Sequence, residues 1–431
     1  MVSGTLADWL DHQQRVHPRA IALGLDRVRE VWKRLGAPSP ARLVITVGGT
    51  NGKGSTVAFL EAVLRACGLR VGAYTSPHLL RYNERVRIDG EEVDDARLID
   101  AFERIEAARG DIALTYFEYG TLAALLCFAE AGPDVALLEV GLGGRLDAVN
   151  IIDADAAIVT TVDLDHQDWL GNDRDSIGRE KAGIFRAGRP AIIGMREPPA
   201  GLLGEAARIG ASLVRADGDF RVELQGAGWR WIGGADSVEL PQPSLAAAVQ
   251  IDNAAAAIAA LHALRDRIAW NAQAMAVGVG KARVEARLQR FTKPHAAELV
   301  IDVGHNPQAA RVLADWLHGH PAPGRTLAVF GALADKDVAG IVAPLAPSIG
   351  TWFVGGLDAD TPRGLAAGDL RARVASIPGV AIEEHAAIAA ALRAAADAAT
   401  AQDRLLAFGS FFVAAAALQW ANANGYREYR P

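Results

Sequence analysis

Short, nearly continuous apolar runs alternate with stretches of helical periodicity along most of this chain. Residues 43–47, 71–74, 135–140, 156–161 and 190–194 are the apolar runs. Helical patterns lie between them, as over 94–109 and 119–131. Apolar strands separated by helices predict a mostly parallel sheet covered on both faces, an α/β fold. A more polar stretch rich in Gly and Trp, 220–239, predicts a hairpin-rich insert, and helix is expected again over 244–265. A second strand–loop pattern follows at 298–302, 326–330, 351–354 and 404–408, predicting a smaller, Rossmann-like α/β domain. The alanine-rich run 386–401 reads as helix. There is no internal repeat. The expected division is a first domain over 1–283, a linker over 284–296 and a second domain over 297–431, with the boundary falling near 280–294.

The segment Gly49-Thr50-Asn51-Gly52-Lys53-Gly54-Ser55 lies between the first apolar run and a helical pattern over 56–64. Strand, glycine-rich turn and helix start together make a phosphate cradle: backbone N–H groups converge there and the helix dipole adds positive character. Lys53 would reach the outer phosphates, and the Ser55 hydroxyl could hold Mg2+. The usual P-loop has Gly five places before its Gly-Lys pair and a hydroxyl directly after the lysine. Here Val47 takes the first place and Gly54 follows Lys53, so the hydroxyl comes one residue late.

Other candidates follow predicted strands and should converge with this loop at the carboxyl end of the sheet. Glu139 ends an apolar run and opens Gly141-Leu142-Gly143-Gly144-Arg145. A carboxylate there is a natural Mg2+ ligand, while the glycines fit a dinucleotide fingerprint poorly and a structural turn equally well. Residues 161–169 hold Asp163, Asp165, His166 and Asp168, a dense set of ligand types. Lys181 opens two readings, a solvated helix lysine or a site residue. Asp302 and His305 follow the first strand of the second domain and could grip a nucleotide, and Asn306 before Pro307 could equally be a helix cap.

Composition changes this picture little. Of 431 residues, 51% are hydrophobic and 22% charged, and the net charge is −7, which argues against a general nucleic-acid or membrane-surface partner. Cys67 and Cys127 sit in apolar helical patterns and read as buried free thiols. Residues 1–19 lack the apolar core of a signal sequence, and no apolar run reaches a membrane span. A cytoplasmic monomer is expected.

Taken together, these motifs resemble the folylpolyglutamate synthase/dihydrofolate synthase family of Mur-type ATP-dependent amide ligases. The pieces carrying the resemblance are Gly49–Ser55, Ser76-Pro77-His78-Leu79, Glu84-Arg85-Val86, Leu114-Thr115-Tyr116-Phe117-Glu118, residues 139–150, 164–181 and 302–307, and Ala334-Asp335-Lys336-Asp337. They span nearly the whole chain, and the late hydroxyl is this family's own variant. The resemblance implies an enzyme that phosphorylates the carboxylate of dihydropteroate or a reduced folate with ATP and joins L-glutamate to it. It implies that residues 50–53 contact the phosphates and that Ser55, Ser76, Glu139 and His166 serve two Mg2+ sites, with a monovalent cation as a further candidate. Lys181 matches a lysine that the family carbamylates. Asn253, Arg287, Asp302 and His305 match ATP contacts. Thr115, Tyr116, Phe117, Glu118, Asp147, Ala148 and Val149 match the pterin pocket, and the loop 76–87 would close over the substrate. Lys53, His166 and Lys181 are the expected catalytic residues.

Three departures stand out. Val149 replaces a threonine, Glu285-Ala286-Arg287 replaces Pro-Gly-Arg, and Ala22-Leu23-Gly24 replaces Asp-Leu-Gly. None removes a group needed for phosphoryl transfer. A cell-wall peptide ligase would carry a nucleotide-sugar domain before the phosphate loop, and the 48 residues before Gly49 are too few for one. A regulatory GTPase would carry Asn-Lys-x-Asp, which does not occur.

Overall fold

The computed structural model describes residues 4–17 and 21–429. Of the stretch 1–19, residues 1–3, 18 and 19 lie outside the described residues, as do residues 430–431 of the expected second domain. The chain forms two compact units, one of Met1–Ser244 with Gln250–Arg283 and one of Leu245–Val249 with Val284–Pro431.

The main sheet of the first unit contains β1 (Leu43–Gly48), β2 (Val71–Tyr74), β3 (Val86–Ile88), β4 (Glu91–Glu92), β5 (Val135–Glu139), β6 (Ala156–Val159), β7 (Pro190–Ile193) and β8 (Ser212–Arg215). Their spatial order is β4-β3-β2-β5-β1-β6-β7-β8. The neighbours from β2 to β8 pair in parallel, and the β2–β3 and β3–β4 pairings are antiparallel. Every residue of β1, β2, β5 and β6 is buried, as strands covered by helices on both faces require. Helices Lys53–Ala66 and Tyr116–Ala131 supply much of that cover.

The predicted insert is a three-stranded antiparallel sheet of β9 (Phe220–Gln225), β10 (Gly228–Gly233) and β11 (Asp236–Pro241). In β10, Trp229 and Trp231 point inward on alternate positions, the period of a half-buried strand.

The second unit is built on β12 (Gln289–Thr292), β13 (Glu298–Ile301), β14 (Thr326–Phe330), β15 (Thr351–Gly355), β16 (Ile382–His385), β17 (Arg404–Phe408) and β18 (Arg427–Glu428). Their order is β16-β15-β14-β17-β13-β12-β18, parallel except at β12 and β18.

Four expectations need correction. Residues 284–296 are not a free linker, because β12 pairs with β13 inside the second unit's sheet. The helix expected over 244–265 is Val249–Ala263, and Ala247 instead belongs to the second unit's apolar core. The helix expected from residue 119 starts at Tyr116, because Thr115 and Glu118 form a capping box there. Cys67 is only partly buried, at a helix end, while burial pushes the Cys127 thiol up to about 12. Among the described residues, no helix is long and apolar enough to cross a membrane.

One polar knot fastens the N-terminal helix Leu6–Val16 to the first unit. Glu106 accepts hydrogen bonds from Arg109 Nε (2.8 Å) and the Tyr119 hydroxyl, and lies 3.2 Å from His12 Nε2. Burial alone would raise its carboxyl, but these three partners and the Arg109 charge hold it at about 2, below its ordinary 4.5. A depressed carboxyl stabilises the fold above its unfolded value and loses that contribution as pH falls through its folded value. Glu106→Gln should therefore cost about 1–3 kcal/mol near neutral pH. The gap to the unsubstituted protein should close as pH falls from about 4.5 towards 2. Urea unfolding of both proteins at several pH values checks this, and a gap independent of pH would refute it.

Candidate active site

Parallel pairing brings the ends of β1, β5 and β6 together, with Val47 opposite Glu139 and Gly48 opposite Val159. The loop from Gly49 leaves β1 at this point, and helix Lys53–Ala66 begins within it, with Gly52 in the left-handed conformation at its N-cap (φ 88°). The loop is fastened from behind. Thr50 N donates to Thr161 O (2.8 Å), Asn51 N donates to Thr161 Oγ1 (3.0 Å), and Thr160 Oγ1 donates to Asn51 O (2.6 Å). A side chain at Gly49 would strike the Thr160 hydroxyl. Lys53 Nζ reaches back over the loop to Gly49 O (3.2 Å) and Thr50 O (3.3 Å). Ser55 Oγ and Thr56 Oγ1 in the first helical turn are buried without a protein partner.

Glu139 is buried, and a Cβ on Gly54 would lie 3.7 Å from its carboxylate, so it adjoins the phosphate loop. It accepts from Ser76 N (3.2 Å). The loop thus collects Ser76 from beyond β2 and Asn253 from helix Val249–Ala263, whose buried amide abuts Gly52. His166 begins the turn Gln167–Leu170 with φ 51°, and its amide donates to Asp165 Oδ1 (2.9 Å). This segment hangs from the phosphate loop through Thr50, whose Oγ1 donates to Asp163 O (3.1 Å) and accepts from Asp163 N (3.0 Å).

Lys181 is buried, which removes the solvated-face reading. Burial first and the Lys53 charge second push its ammonium down to about 7, against the pull of Asp165 and Asp147. Asp147 is pushed up to about 7 by burial, although Leu142 N (2.8 Å) and Val149 N (3.1 Å) donate to it. Buried Lys181 and Asp147 thus share one electrostatic neighbourhood with the partly exposed Lys53 and Asp165. The glycines of residues 141–144 serve close packing, not a dinucleotide. A Cβ on Gly144 would meet Glu180 O and Lys181 O at 2.9 and 3.0 Å, and one on Gly141 would strike the Phe117 ring. They let this turn press on helix Arg174–Ala182, which carries Lys181.

Of the expected pterin-pocket residues, Thr115 and Glu118 are tied into the capping box, and Glu118 also accepts from Arg27 Nη2 (3.0 Å). Tyr116 and Phe117 are partly exposed, whereas Ala148 and Val149 are buried in the core. In the second unit, Asp302 directly follows β13 and accepts from Leu288 N (2.8 Å) and Gly304 N (2.7 Å). Burial raises its carboxyl against the Arg287 charge. Arg287 and His305 both face Phe411, at 5.7 and 6.2 Å. Asn306 caps helix Pro307–Gly319 through Ala309 N (3.0 Å). Thr160 was missed by sequence reasoning because it looked like the end of a strand. Its signal was a hydroxyl pair, Thr160-Thr161, at the end of a strand expected beside the phosphate loop.

The Mur ligase middle domain model matches residues 47–208, and the model of the Mur ligase glutamate ligase domain matches residues 286–411. The dihydrofolate synthase/folylpolyglutamate synthase of Escherichia coli (strain K12) is 44% identical over 411 residues, covering 95% of this chain and 94% of its own. This chain belongs to the dihydrofolate synthase/folylpolyglutamate synthase family of Mur ligases. The E. coli FolC structure in complex with DHPP and ADP superposes with a TM-score of 0.92 at 42% identity, covering 99% of each chain. A bifunctional folylpolyglutamate synthase/dihydrofolate synthase with Mn, AMPPNP and L-glutamate bound superposes at 0.89, also 42% identical over 99% of each chain. Among the described residues, no group of three or more His, Cys, Asp or Glu side chains gathers to hold a metal. Near the loop stand the orphaned Ser55 hydroxyl and, beside Gly54, the Glu139 carboxylate, oxygen donors of the kind Mg2+ takes.

The fastening of the loop makes a direct prediction. Gly49→Ala should push the loop off Thr160 and lower kcat/KM for ATP by about 10²-fold. Circular dichroism should stay native. An unchanged ATP response would refute the account of the loop.

Proposed function

We propose that this protein adds L-glutamate to dihydropteroate, giving dihydrofolate, and to reduced folates, giving folylpolyglutamates, with ATP as the energy source. The observation that carries this reading is the fastened phosphate loop with Glu139 and Lys181 beside it, in a chain of this family. A carboxylate is a poor electrophile, so the acceptor carboxylate first attacks the γ-phosphorus of ATP, the bond to the bridging oxygen breaks, ADP leaves, and the acceptor becomes an acyl phosphate. The glutamate amine then attacks the acyl carbon, and phosphate leaves. In our assignment, the amides of residues 50–53 and Lys53 Nζ orient and neutralise the transferring phosphoryl group. Ser55, Ser76, Glu139, His166 and Lys181 would hold Mg2+, which supplies charge neutralisation at the phosphates. Asn253, Arg287, Asp302 and His305 are assigned to the nucleotide, and Thr115, Tyr116, Phe117, Glu118, Asp147, Ala148 and Val149 to the pterin pocket. We place the reaction in the cytoplasm, where ATP is made available and free thiols persist.

Lys181 is proposed to carry a carbamate. Burial supports this, because an uncharged amine is the form that reacts with CO2, and the carbamate supplies anionic oxygens where a cation would be out of place. Its depressed value of about 7 gives the sign: the neutral amine, and with it carbamylation, increases as pH rises through 7 at fixed dissolved CO2. NMR with 13C-labelled bicarbonate should show one carbamate carbon that grows with pH and is lost in Lys181→Met. Persistence of that carbon in the variant would overturn the assignment. For the reaction itself, purified protein should release phosphate only when ATP, glutamate and either dihydropteroate or a reduced folate are all present. Silence with dihydropteroate removes the synthase activity, and silence with a reduced folate removes the extension activity.

A further inference from the structure

The loop after β2 carries a buried guanidinium with no anion. Arg85 is only 8% exposed, and among the described residues no carboxylate lies within ion-pair distance of it. Its Nε donates to His78 Nδ1 (2.8 Å), which is uncharged at that nitrogen. Its guanidinium carbon stands 5.3 Å from the Tyr82 ring centre and 5.5 Å from that of Tyr116. The Tyr82 hydroxyl is buried and has no partner.

Glu84, Glu61, Glu118 and Glu106 are committed elsewhere. Glu84 accepts from the amides of Leu79, Leu80 and Arg81 at 2.6, 2.7 and 2.6 Å. Glu61 holds Arg87 (2.8 Å), Glu118 holds Arg27 (3.0 Å), and Glu106 holds Arg109. A buried charge is costly unless it is paired, and each neighbouring arginine obeys that rule while Arg85 does not. Aromatic faces beside the cation soften this cost without removing it.

We propose that Arg85 forms the anion subsite for the carboxylate end of the acceptor, an aromatic acid whose ring lies against the partly exposed Tyr116. This rests on the ligase reading above and deepens it. A phosphate of ATP could also satisfy a guanidinium, but the phosphate loop already has its own cation in Lys53, and Arg85 sits among tyrosines adjoining Phe117. The planar fork of arginine matches a carboxylate in a way that a lysine cannot. Arg85 is thus a positioning residue that holds the acceptor's carboxylate against repulsion from the triphosphate.

The test compares dihydropteroate with its carboxamide, both as ligands of the intact protein and of the Arg85→Gln and Arg85→Lys variants. The unsubstituted protein should bind the acid more tightly than the amide by on the order of 10²-fold, and Arg85→Gln should bind the two alike. Arg85→Lys, which keeps the charge and folds with the cation in place, should lose at least about ten-fold in kcat/KM for the acid. The KM for ATP should stay unchanged in both variants. Equal binding of acid and amide by the unsubstituted protein would overturn the proposal, as would a loss that falls on ATP instead. Failure of the unsubstituted protein to release phosphate with dihydropteroate would instead count against the ligase reading, so the two failures are separable.

Discussion

The parallel pairing of β1 with β5 on one side and β6 on the other is the constraint on which the active site depends. Those ladders fix Val47 opposite Glu139 and Gly48 opposite Val159. Three chain segments far apart in sequence therefore end at one level, and each delivers a different function there. From β1 comes the phosphate loop, from β5 the carboxylate, and from β6 the threonines that fasten the loop. A slip of one residue along β5 would turn Glu139 to the opposite face.

Around that level the first unit gathers charge that a protein interior does not ordinarily tolerate. Lys53, Lys181, Asp147 and Asp165 influence one another, with Lys181 and Asp147 both displaced to about 7. Ionisable groups displaced in this way mark a site suited to charged substrates. The orphaned Ser55 hydroxyl belongs to the same pattern, as does unpaired Arg85 on the neighbouring loop. Phosphoryl transfer between two anions needs such a surplus of donors and cations, held rigid before the substrates arrive.

Much of this was legible in the sequence, because apolar runs are long where strands are buried on both faces. The order of strand and helix and the place of Glu139 followed from that pattern, and the phosphate loop from the glycines, lysine and hydroxyl of residues 49–55 set after the first apolar run. Other features were hidden for physical reasons. Thr115 and Glu118 form a capping box, so the helix begins three residues earlier than its apolar period suggests. Strands such as β16, with Glu383 and Glu384, carry no apolar run because they lie at a sheet edge. Alanines before Val249 favour helix intrinsically, but Ala247 is claimed by the second unit's core. The pairing state of Arg85 was invisible, since sequence does not tell which arginine lacks its carboxylate.

The central claim is that ATP activates a carboxylate at this loop as an acyl phosphate. Oxygen tracing tests it most directly. Dihydropteroate labelled with 18O in its carboxylate would be turned over with ATP and glutamate, and the released phosphate examined by mass spectrometry. Transfer of one labelled oxygen into each phosphate formed is the predicted result, because the attacking carboxylate oxygen leaves with the phosphorus. Unlabelled phosphate alongside glutamylated product would contradict it.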